Sequence, residues 1–268
     1  MLIWVCALHC EAKPVIDRYR LKKSHADHPF DFYQGDDMAC VVSGIGKLAS
    51  STACAWAATR FDGAASLGWI NLGTAGAAEH ELGSLFSLHQ VIDANDGRRY
   101  YPAPAAGDAL PGSACKTLAR PSEDYSDKWL YDMEASGFMF ATLRFSSAEL
   151  VRSLKVISDN RHQRTGRDRA RVSDLLQANI DAIDGEAQRL VSLNREQAAL
   201  VPDNARWEAL LGLARFSQTQ KNRLRVLWRY LLNRRHDADD LLRQLRGQPA
   251  KTIVRHLEQL GQNDGERF

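Results

Sequence analysis

Hydrophobic positions along the first two thirds of the chain follow strand-like patterns separated by helix-like ones. The run Leu2–Leu8 is almost continuously apolar, which is typical of a central strand covered on both faces of a sheet. Further apolar runs predict strands at 30–33, 38–43, 66–72, 85–92 and 150–157. The sequence therefore predicts an α/β domain.

Helices are predicted where apolar residues recur at helical spacing or where Ala and Ser accumulate. The turn Ser43-Gly44-Ile45-Gly46-Lys47 leads into a helix at about 47–60, and another helix is predicted at 134–143. A single long helix is predicted at 172–193, with Ser173 as its N-cap. Its apolar stripe consists of Leu176, Ile180, Ile183, Ala187, Leu190 and Val191. The segment 93–121 is predicted as a loop because of its Pro and Gly residues, with one short strand at 114–118.

Pro202-Asp203-Asn204 marks a predicted domain boundary, after which every apolar pattern is helical. We therefore predict an α/β domain at 1–200 and an all-helical C-terminal extension at 203–268. The extension has 13 Lys and Arg against 8 Asp and Glu, a local charge of about +5. This predicts an amphipathic bundle with a solvated face; the alternative is a nucleic-acid or protein-binding surface. The cations concerned are Lys221, Arg223, Arg225, Arg229, Arg234 and Arg235.

Composition narrows the class of protein. The net charge of the 268 residues is only +2, so a polyanion-binding role would have to be local. The five cysteines form an odd set without metal-like spacing and are interpreted as reduced thiols of a cytoplasmic protein. No apolar run reaches the roughly 18 residues that a membrane span requires.

Two acidic motifs carry the strongest functional signal. Asp132-Met133-Glu134 precedes a predicted helix, and Ser158-Asp159 ends a predicted strand. Open α/β sheets bind ligands at the carboxyl ends of their strands. Two carboxylates from separate elements can divide the work, since one can bind a hydroxyl while the other transfers a proton. That is the chemistry needed to cleave a sugar–base bond.

Five segments in order resemble the nucleoside phosphorylase and nucleosidase superfamily, most closely the methylthioadenosine/S-adenosylhomocysteine nucleosidases. They are Ala7-Leu8-His9-Cys10-Glu11-Ala12, Ser43-Gly44-Ile45-Gly46-Lys47, Ile70-Asn71-Leu72-Gly73-Thr74-Ala75-Gly76, Asp132-Met133-Glu134-Ala135-Ser136 and Val156-Ile157-Ser158-Asp159. The resemblance covers about residues 1–195. It implies a three-layer fold with a central mixed sheet, a nucleoside substrate, a homodimer, and neither a metal nor an organic cofactor.

The resemblance also implies catalytic roles. Asp159 matches the acid that protonates N7 of the purine, which makes the base a neutral leaving group. Glu11 matches the base that activates water, and Thr74 matches a small hydroxyl residue near it. From the residues alone, each of these side chains has a structural alternative: a turn cap for Asp159 and a solvated helix start for Glu11.

A second set of residues is implied to bind the substrate. Glu134 matches the carboxylate that binds the ribose hydroxyls, and Met133 matches the residue beneath the ribose. Asp132 and Lys155 stand where the family usually has Glu and Arg. The segment between Asp93 and Met133 is short for the family, so Tyr125 is our candidate for the ring that stacks on the base. The remaining candidates are Ser43, Gly44, Gly76 and Ser158.

The nucleophile is predicted to be water. The phosphorylases of this superfamily generally have Arg where this chain has Asn71, because phosphate needs charged donors. Purine nucleoside phosphorolysis remains an alternative, since Lys47, Arg98 or Arg99 could supply that charge. A third alternative is a non-catalytic protein that binds nucleosides or nucleic acid. A basic run beyond Asp159 is interpreted mainly as solvated loop; it consists of Arg161, Arg164, Arg167, Arg169 and Arg171.

Overall fold

The chain divides into two compact units, Met1–Asn194 and Arg195–Phe268. The first combines a mixed sheet with helices, and the described part of the second is helical. The predicted boundary at Pro202 and Asp203 lies outside the described residues. The computed structural model describes residues 1–61, 66–103, 110–121, 125, 128–163, 168–199, 204–234 and 236–265.

All strands of the described residues lie in the first unit. They are β1 (Leu2–Cys6), β2 (Lys22–Lys23), β3 (Asp31–Gln34), β4 (Met38–Val42), β5 (Gly68–Gly76), β6 (Leu85–Asp93), β7 (Arg99–Tyr100), β8 (Gly112–Thr117), β9 (Leu130–Asp132) and β10 (Val151–Asp159). The helices are α1 (His9–Tyr19), α2 (Lys47–Arg60), α3 (Ala135–Thr142), α4 (Arg169–Gln177), α5 (Ile180–Ala199), α6 (Asn204–Gly212), α7 (Gln218–Asn233), α8 (Ala238–Leu245) and α9 (Ala250–Gly265).

The sheet is mixed, as predicted. Strands β4, β1, β5 and β10 run parallel, while β10 pairs antiparallel with β6 and β9 pairs antiparallel with β5. The order β10-β6-β8-β9-β5 closes on itself because β10 also pairs with β5. Strands β1, β4, β3 and β2 extend from this closed ring, and β7 pairs with β6. The parallel strands bring their carboxyl ends to one edge of the sheet, where a ligand crevice is expected.

Helices cover both faces of the sheet. Strand β1 shows why: Ile3 and Val5 are buried in one apolar cluster, and Leu2 and Trp4 in the other. Successive side chains of a strand point to opposite faces. The first cluster includes residues of α2 and α3, and the second includes residues of α1, α4 and α5. The predicted central strand at Leu2–Leu8 is therefore confirmed, and it ends at Cys6.

The single helix predicted at 172–193 is wrong, because α4 and α5 are separate helices. The Asn179 side-chain amide donates to the carbonyls of Leu175 and Gly83, each at 2.9 Å. An Asn that binds backbone groups competes with helix continuation. The predicted cap Ser173 is also wrong, since Asp168 accepts the first amides of α4. The apolar stripe remains largely buried on both sides of the break.

The segment predicted as a loop at 93–121 contains β7 and β8. The short strand predicted at 114–118 is confirmed as β8, which begins two residues earlier at Gly112. Strand β9, just before the Asp132 motif, was not predicted. Its three residues pair with β8 and meet β5 at a single position, so the sequence carries too short a pattern to find it.

The second unit has its own apolar core, formed by residues at helical spacing. It includes Leu224, Trp228 and Leu231 of α7, packed with residues of α6, α8 and α9. Ser217 caps α7 through a reciprocal pair of bonds with Gln220. Across the described residues, none of the helices combines the length and apolar character of a membrane span.

Candidate active site

Glu11 lies at the edge of the sheet, in the first turn of α1, and is 4% exposed. Its Oε2 accepts the backbone N–H groups of Ala7 and Leu8 at 3.2 and 3.0 Å. Its Oε1 accepts the Thr74 backbone N–H at 2.9 Å and the Thr74 hydroxyl at 3.1 Å. A Cβ at Gly73 would lie 3.0 Å from Oε1, so glycine permits this approach. The carboxylate is thus fixed against both β1 and β5.

Glu134 is the N-cap residue of α3 and is buried. Its Oε1 accepts the Gly46 backbone N–H at 2.8 Å. Burial raises the pKa of Glu134 to about 7, the positive charge of Lys155 opposes that rise, and the negative charges of Asp132 and Glu11 add to it. Glu134 therefore changes its charge near neutral pH.

Asp132 and Lys155 form an ion pair close to Glu134, with Nζ and Oδ2 2.9 Å apart and side chains 0% and 1% exposed. Asp132 also accepts the Thr117 hydroxyl and the Ala135 N–H, both at 2.7 Å. Burial alone would lower the pKa of Lys155, but the negative charges of Asp132 and Glu134 raise it, so Lys155 stays protonated. The pair has almost no exposed surface, and it acts on Glu134 through its charges.

Asp159 is the last residue of β10. Its Oδ1 accepts the Ser158 hydroxyl at 2.6 Å, and its Oδ2 accepts the hydroxyl of Tyr125. The Tyr125 ring is buried, lies 5.4 Å from the Tyr131 ring, and occupies the space that a side chain at Gly76 would need. Tyr125 was predicted as a stacking ring; in this structure its hydroxyl binds the carboxylate that was predicted to protonate the base.

Ser43 and Gly44 follow β4 and lie beside the turn that holds Glu11. The Ser43 N–H donates to the Cys6 carbonyl at 2.8 Å, and the Gly44 N–H donates to the Ala7 carbonyl at 3.1 Å. Gly44 has φ +82°, a conformation that glycine adopts without strain. Met133 is half-buried between the two acidic residues of its motif.

Neighbouring strands therefore place the predicted site residues in two groups along β10. Strand β10 carries both Lys155 and Asp159, which pair in register with Gly73 and Gly76 of β5. Lys155 and Asp159 are four residues apart in extended chain, which corresponds to a distance of about 13 Å. Glu11 and Glu134 lie at the Lys155 end, and Tyr125 lies at the Asp159 end.

Asn71 is the residue on which the prediction of water, instead of phosphate, as the nucleophile rests. It is 1% exposed, and its amide bridges strands: Nδ2 donates to the Val5 carbonyl at 3.1 Å, and Oδ1 accepts the Ser153 hydroxyl at 3.0 Å. Its hydrogen-bonding groups are used within the sheet. Asn71 therefore serves to join neighbouring strands, and it carries no charge that would attract a phosphate.

The cations proposed as substitutes for that donor have carboxylate partners where a partner is described. Lys47 Nζ lies 2.8 Å from both carboxylate oxygens of Asp93. Arg98 pairs with Asp96 at 3.4 Å. Arg99 is exposed on β7.

Sequence reasoning missed several residues that shape the site. The Gly46 amide and the Thr117 hydroxyl bind Glu134 and Asp132, but neither residue type signals such a contact. Asp93 was missed although it ends β6 in the same way that Asp159 ends β10. A carboxylate at a strand end was the signal that could have found it.

The basic run beyond Asp159 is only partly described, since Arg164 and Arg167 lie outside the described residues. Arg161 donates through Nε to the Tyr125 carbonyl at 2.8 Å and lies 3.5 Å from Glu79. Arg169 lines a cleft of about 640 Å³ together with Leu8 and Lys13. This cleft adjoins the turn whose amides hold Glu11.

In the helical unit, basic side chains contact neighbours of the same unit. Arg223 pairs with Glu258, and Arg206 lies 2.8 Å from Asp239. The guanidinium of Arg225 lies 5.8 Å from the centre of the Trp207 ring. Arg235 is outside the described residues. Within the described part of the chain, no cluster of His, Cys, Asp and Glu is arranged to hold a metal ion.

Known proteins match this chain through structure. No protein-family model matches the sequence, and no curated protein does. The 5′-methylthioadenosine nucleosidase of Arabidopsis thaliana, in its apo form, matches with a TM-score of 0.55 and 16% identity, over 72% of this chain and 94% of that one.

Two further structures give similar values. A methylthioadenosine/S-adenosylhomocysteine nucleosidase from Colwellia psychrerythraea, in complex with adenine, matches with a TM-score of 0.56 and 16% identity, over 72% of this chain and 95% of that one. Futalosine hydrolase of Helicobacter pylori matches with a TM-score of 0.57 and 12% identity, over 70% and 97%. The resemblance drawn from five short segments is therefore confirmed at the level of the fold, which is that of the methylthioadenosine/S-adenosylhomocysteine nucleosidases.

Proposed function

We propose that the protein hydrolyses the N-glycosidic bond of a purine nucleoside or of its 5′-thio derivative. The observation that supports this proposal is the placement of three carboxylates along β10 and β5: Glu11 and Glu134 lie near Lys155, and Asp159 ends the same strand. The fold it shares with nucleosidases supports the same reaction class.

At the Lys155 end, where we place the attacking water, Glu11 acts as the general base and the Thr74 hydroxyl helps to orient the water. Four hydrogen-bond donors hold the Glu11 carboxylate in place, so its direction is set before a ligand binds. The adjacent Ser43–Gly44 turn borders the same place. Preorganised groups of this kind need no rearrangement during the reaction.

Also at the Lys155 end, Glu134 accepts the ribose hydroxyls while Met133 packs against the sugar. Glu134 must be ionised to accept hydrogen bonds from two hydroxyl groups. Asp132 and Lys155 act as positioning residues, because their buried pair fixes the start of α3 and Lys155 places a positive charge near Glu134 and Glu11.

At the base end, Asp159 donates a proton to the purine, with Ser158 orienting its carboxyl group. The backbone at Gly76 leaves room for a flat ring, and Tyr125 occupies that room in the free protein. Binding of the base therefore requires the Tyr125 hydroxyl to leave Asp159. This scheme uses proton transfer alone and calls for no metal or organic cofactor.

Water is favoured over phosphate as the nucleophile. The amide of Asn71 is used inside the sheet, and Lys47 is held by Asp93. Phosphorolysis would need another source of positive charge at the Glu11 end.

The decisive experiment incubates the protein with a panel of purine nucleosides and 5′-thio nucleosides, with and without phosphate, and measures free base. We expect base release that phosphate does not accelerate, together with free sugar. Sugar 1-phosphate would instead establish a phosphorylase. Tight nucleoside binding without base release would establish a non-catalytic binding protein.

A homodimer is part of the proposal. Ile45 just before α2, Leu48 in α2 and Phe140 in α3 are large apolar side chains with 57%, 78% and 38% exposure. Apolar surface of this kind often marks an interface. Light scattering after size exclusion should give twice the chain mass, and a monomer would remove the dimer from the proposal.

A further inference from the structure

The ribose-binding carboxylate proposed above is held by an amide from a different helix. The bond from Gly46 N–H to Glu134 joins the N-cap residue of α2 to that of α3. Neither residue caps its own helix with a side-chain hydrogen bond. The position of Glu134 Oε1 therefore depends on how the first turns of the two helices are held together.

Gly46 cannot fix the direction of its own N–H group. Its φ of +104° lies in a region that side-chain-bearing residues rarely adopt, and an added Cβ would meet no atom within 4 Å. The backbone conformation, and not lack of space, requires glycine here. Because glycine is the most flexible residue, its neighbours must hold this conformation.

Asp93, at the end of β6, supplies that restraint. Both of its oxygens lie 2.8 Å from Nζ of Lys47, the residue that follows Gly46. Its Oδ2 also accepts the hydroxyl of Ser136, two residues after Glu134, at 3.0 Å. The Asn95 N–H donates to Oδ1 at 2.9 Å and steadies Asp93 itself. One carboxylate thus ties the starts of α2 and α3 to the sheet.

The two helix starts are also in direct backbone contact. A Cβ at Gly137 would collide with the carbonyl oxygen of Lys47. The helices therefore approach as closely as glycine allows, and a small displacement of Lys47 relative to α3 changes the geometry of the Gly46–Glu134 bond.

We propose that Lys47, Asp93 and Ser136 form a clamp of positioning residues that aims the Gly46 N–H at Glu134. The meaning of the clamp for catalysis rests on the proposed function, since that function makes Glu134 the ribose ligand. The clamp itself is a property of the free protein. It acts by geometry, because the charges with the largest effect on the pKa of Glu134 belong to Lys155, Asp132 and Glu11, outside the clamp.

The test measures the titration of Glu134 in the free protein by NMR of ¹³C-labelled Glu carboxyl groups, with Glu134→Gln identifying the signal. The variants are Asp93→Asn and Lys47→Met. If the clamp acts by geometry, both raise the pKa of Glu134 from about 7 by about one pH unit, because both weaken the hydrogen bond from Gly46.

A direct charge effect instead predicts pKa shifts of opposite sign for the two variants. Asp93→Asn would leave extra positive charge and lower the pKa of Glu134, whereas Lys47→Met would leave extra negative charge and raise it. Opposite shifts, or no shift, would overturn the proposal. Asp96→Asn is the matched control, since Asp96 contacts the surface residue Arg98, and it should leave the titration unchanged.

Ser136→Ala keeps the proposal testable if the charge variants do not fold. It removes one bond to Asp93 and should raise the pKa of Glu134 in the same direction by a smaller amount; an unchanged value would overturn the clamp. If the protein cleaves nucleosides, the acidic limb of kcat/KM should move with the NMR value. A titration shift in a protein without nucleosidase activity would leave the clamp intact and remove only the proposed function.

Discussion

The two units of this protein place their charged side chains differently. Among the described residues of the α/β unit, seven ionisable side chains are buried: Glu11, Asp93, Asp132, Glu134, Arg152, Lys155 and Glu186. In the described part of the helical unit, every buried residue is apolar, and the ion pair of Arg206 with Asp239 is exposed. Both units fold around apolar clusters, so buried charge is not needed for compactness.

The difference indicates that the α/β unit contains the buried charges that reduce folding stability. Burying a charge costs several kcal/mol unless hydrogen bonds and partners compensate it. Glu11, Asp132 and Lys155 are compensated almost completely, while Glu134 keeps a pKa of about 7. A site that contains a buried carboxyl group with so perturbed a pKa is a candidate for catalysis.

The largest expected effect comes from Asp159→Asn in the α/β unit. Loss of the proton donor should slow base release by about 10²- to 10⁴-fold. Single-turnover measurement of free base checks the rate, and circular dichroism checks that the fold is retained. Unchanged turnover would exclude Asp159 from the mechanism.

The second test concerns the loss of folding stability that the raised pKa of Glu134 causes. Its folded-state pKa is raised from 4.5 to about 7, so the folded protein binds more protons than the unfolded chain between these values, and Glu134 reduces stability as pH rises through this window. Between pH 5 and pH 8, the free energy of unfolding of Glu134→Gln should gain about 2–3 kcal/mol relative to the native protein. Urea titrations at both pH values measure it, and a constant difference would contradict the buried, raised carboxyl group.

A smaller effect is expected from Tyr125→Phe. Without its hydroxyl, the ring no longer competes with a purine for Asp159, and binding of the free base should tighten by about 5- to 10-fold, which corresponds to one net hydrogen bond. Calorimetric titration with adenine and hypoxanthine measures the change. Tyr101→Phe is the control because Tyr101 is 61% exposed. Weaker binding in Tyr125→Phe would show that the hydroxyl assists the base instead.

The smallest effect is expected in the helical unit. Exposed ion pairs contribute little to stability, because water and salt screen them. Asp239→Asn should leave both the thermal midpoint and nucleoside turnover unchanged. A change in turnover would break the comparison, since it would connect the helical unit to the reaction.

The elements that the sequence predicted well are those with strong local patterns. The run at Leu2–Leu8 contains β1, the Ala- and Ser-rich segment is α2, and the apolar stripe beyond Val172 is buried. Failures occurred where a distant contact decided the local structure. Asn179 ends the predicted long helix by binding the carbonyl of Gly83, and no local pattern encodes that contact.

The sequence by itself determined the alternation of strands and helices, the acidic residues available for chemistry, and the family whose fold the chain shares. Only the tertiary structure decided what those residues touch. Thr74 and Glu11 are 63 positions apart, and Tyr125 and Asp159 are 34 apart. The physical reason is that periodicity reports which face of an element is buried, whereas the charge and direction of a carboxylate depend on groups that other strands and helices bring to it.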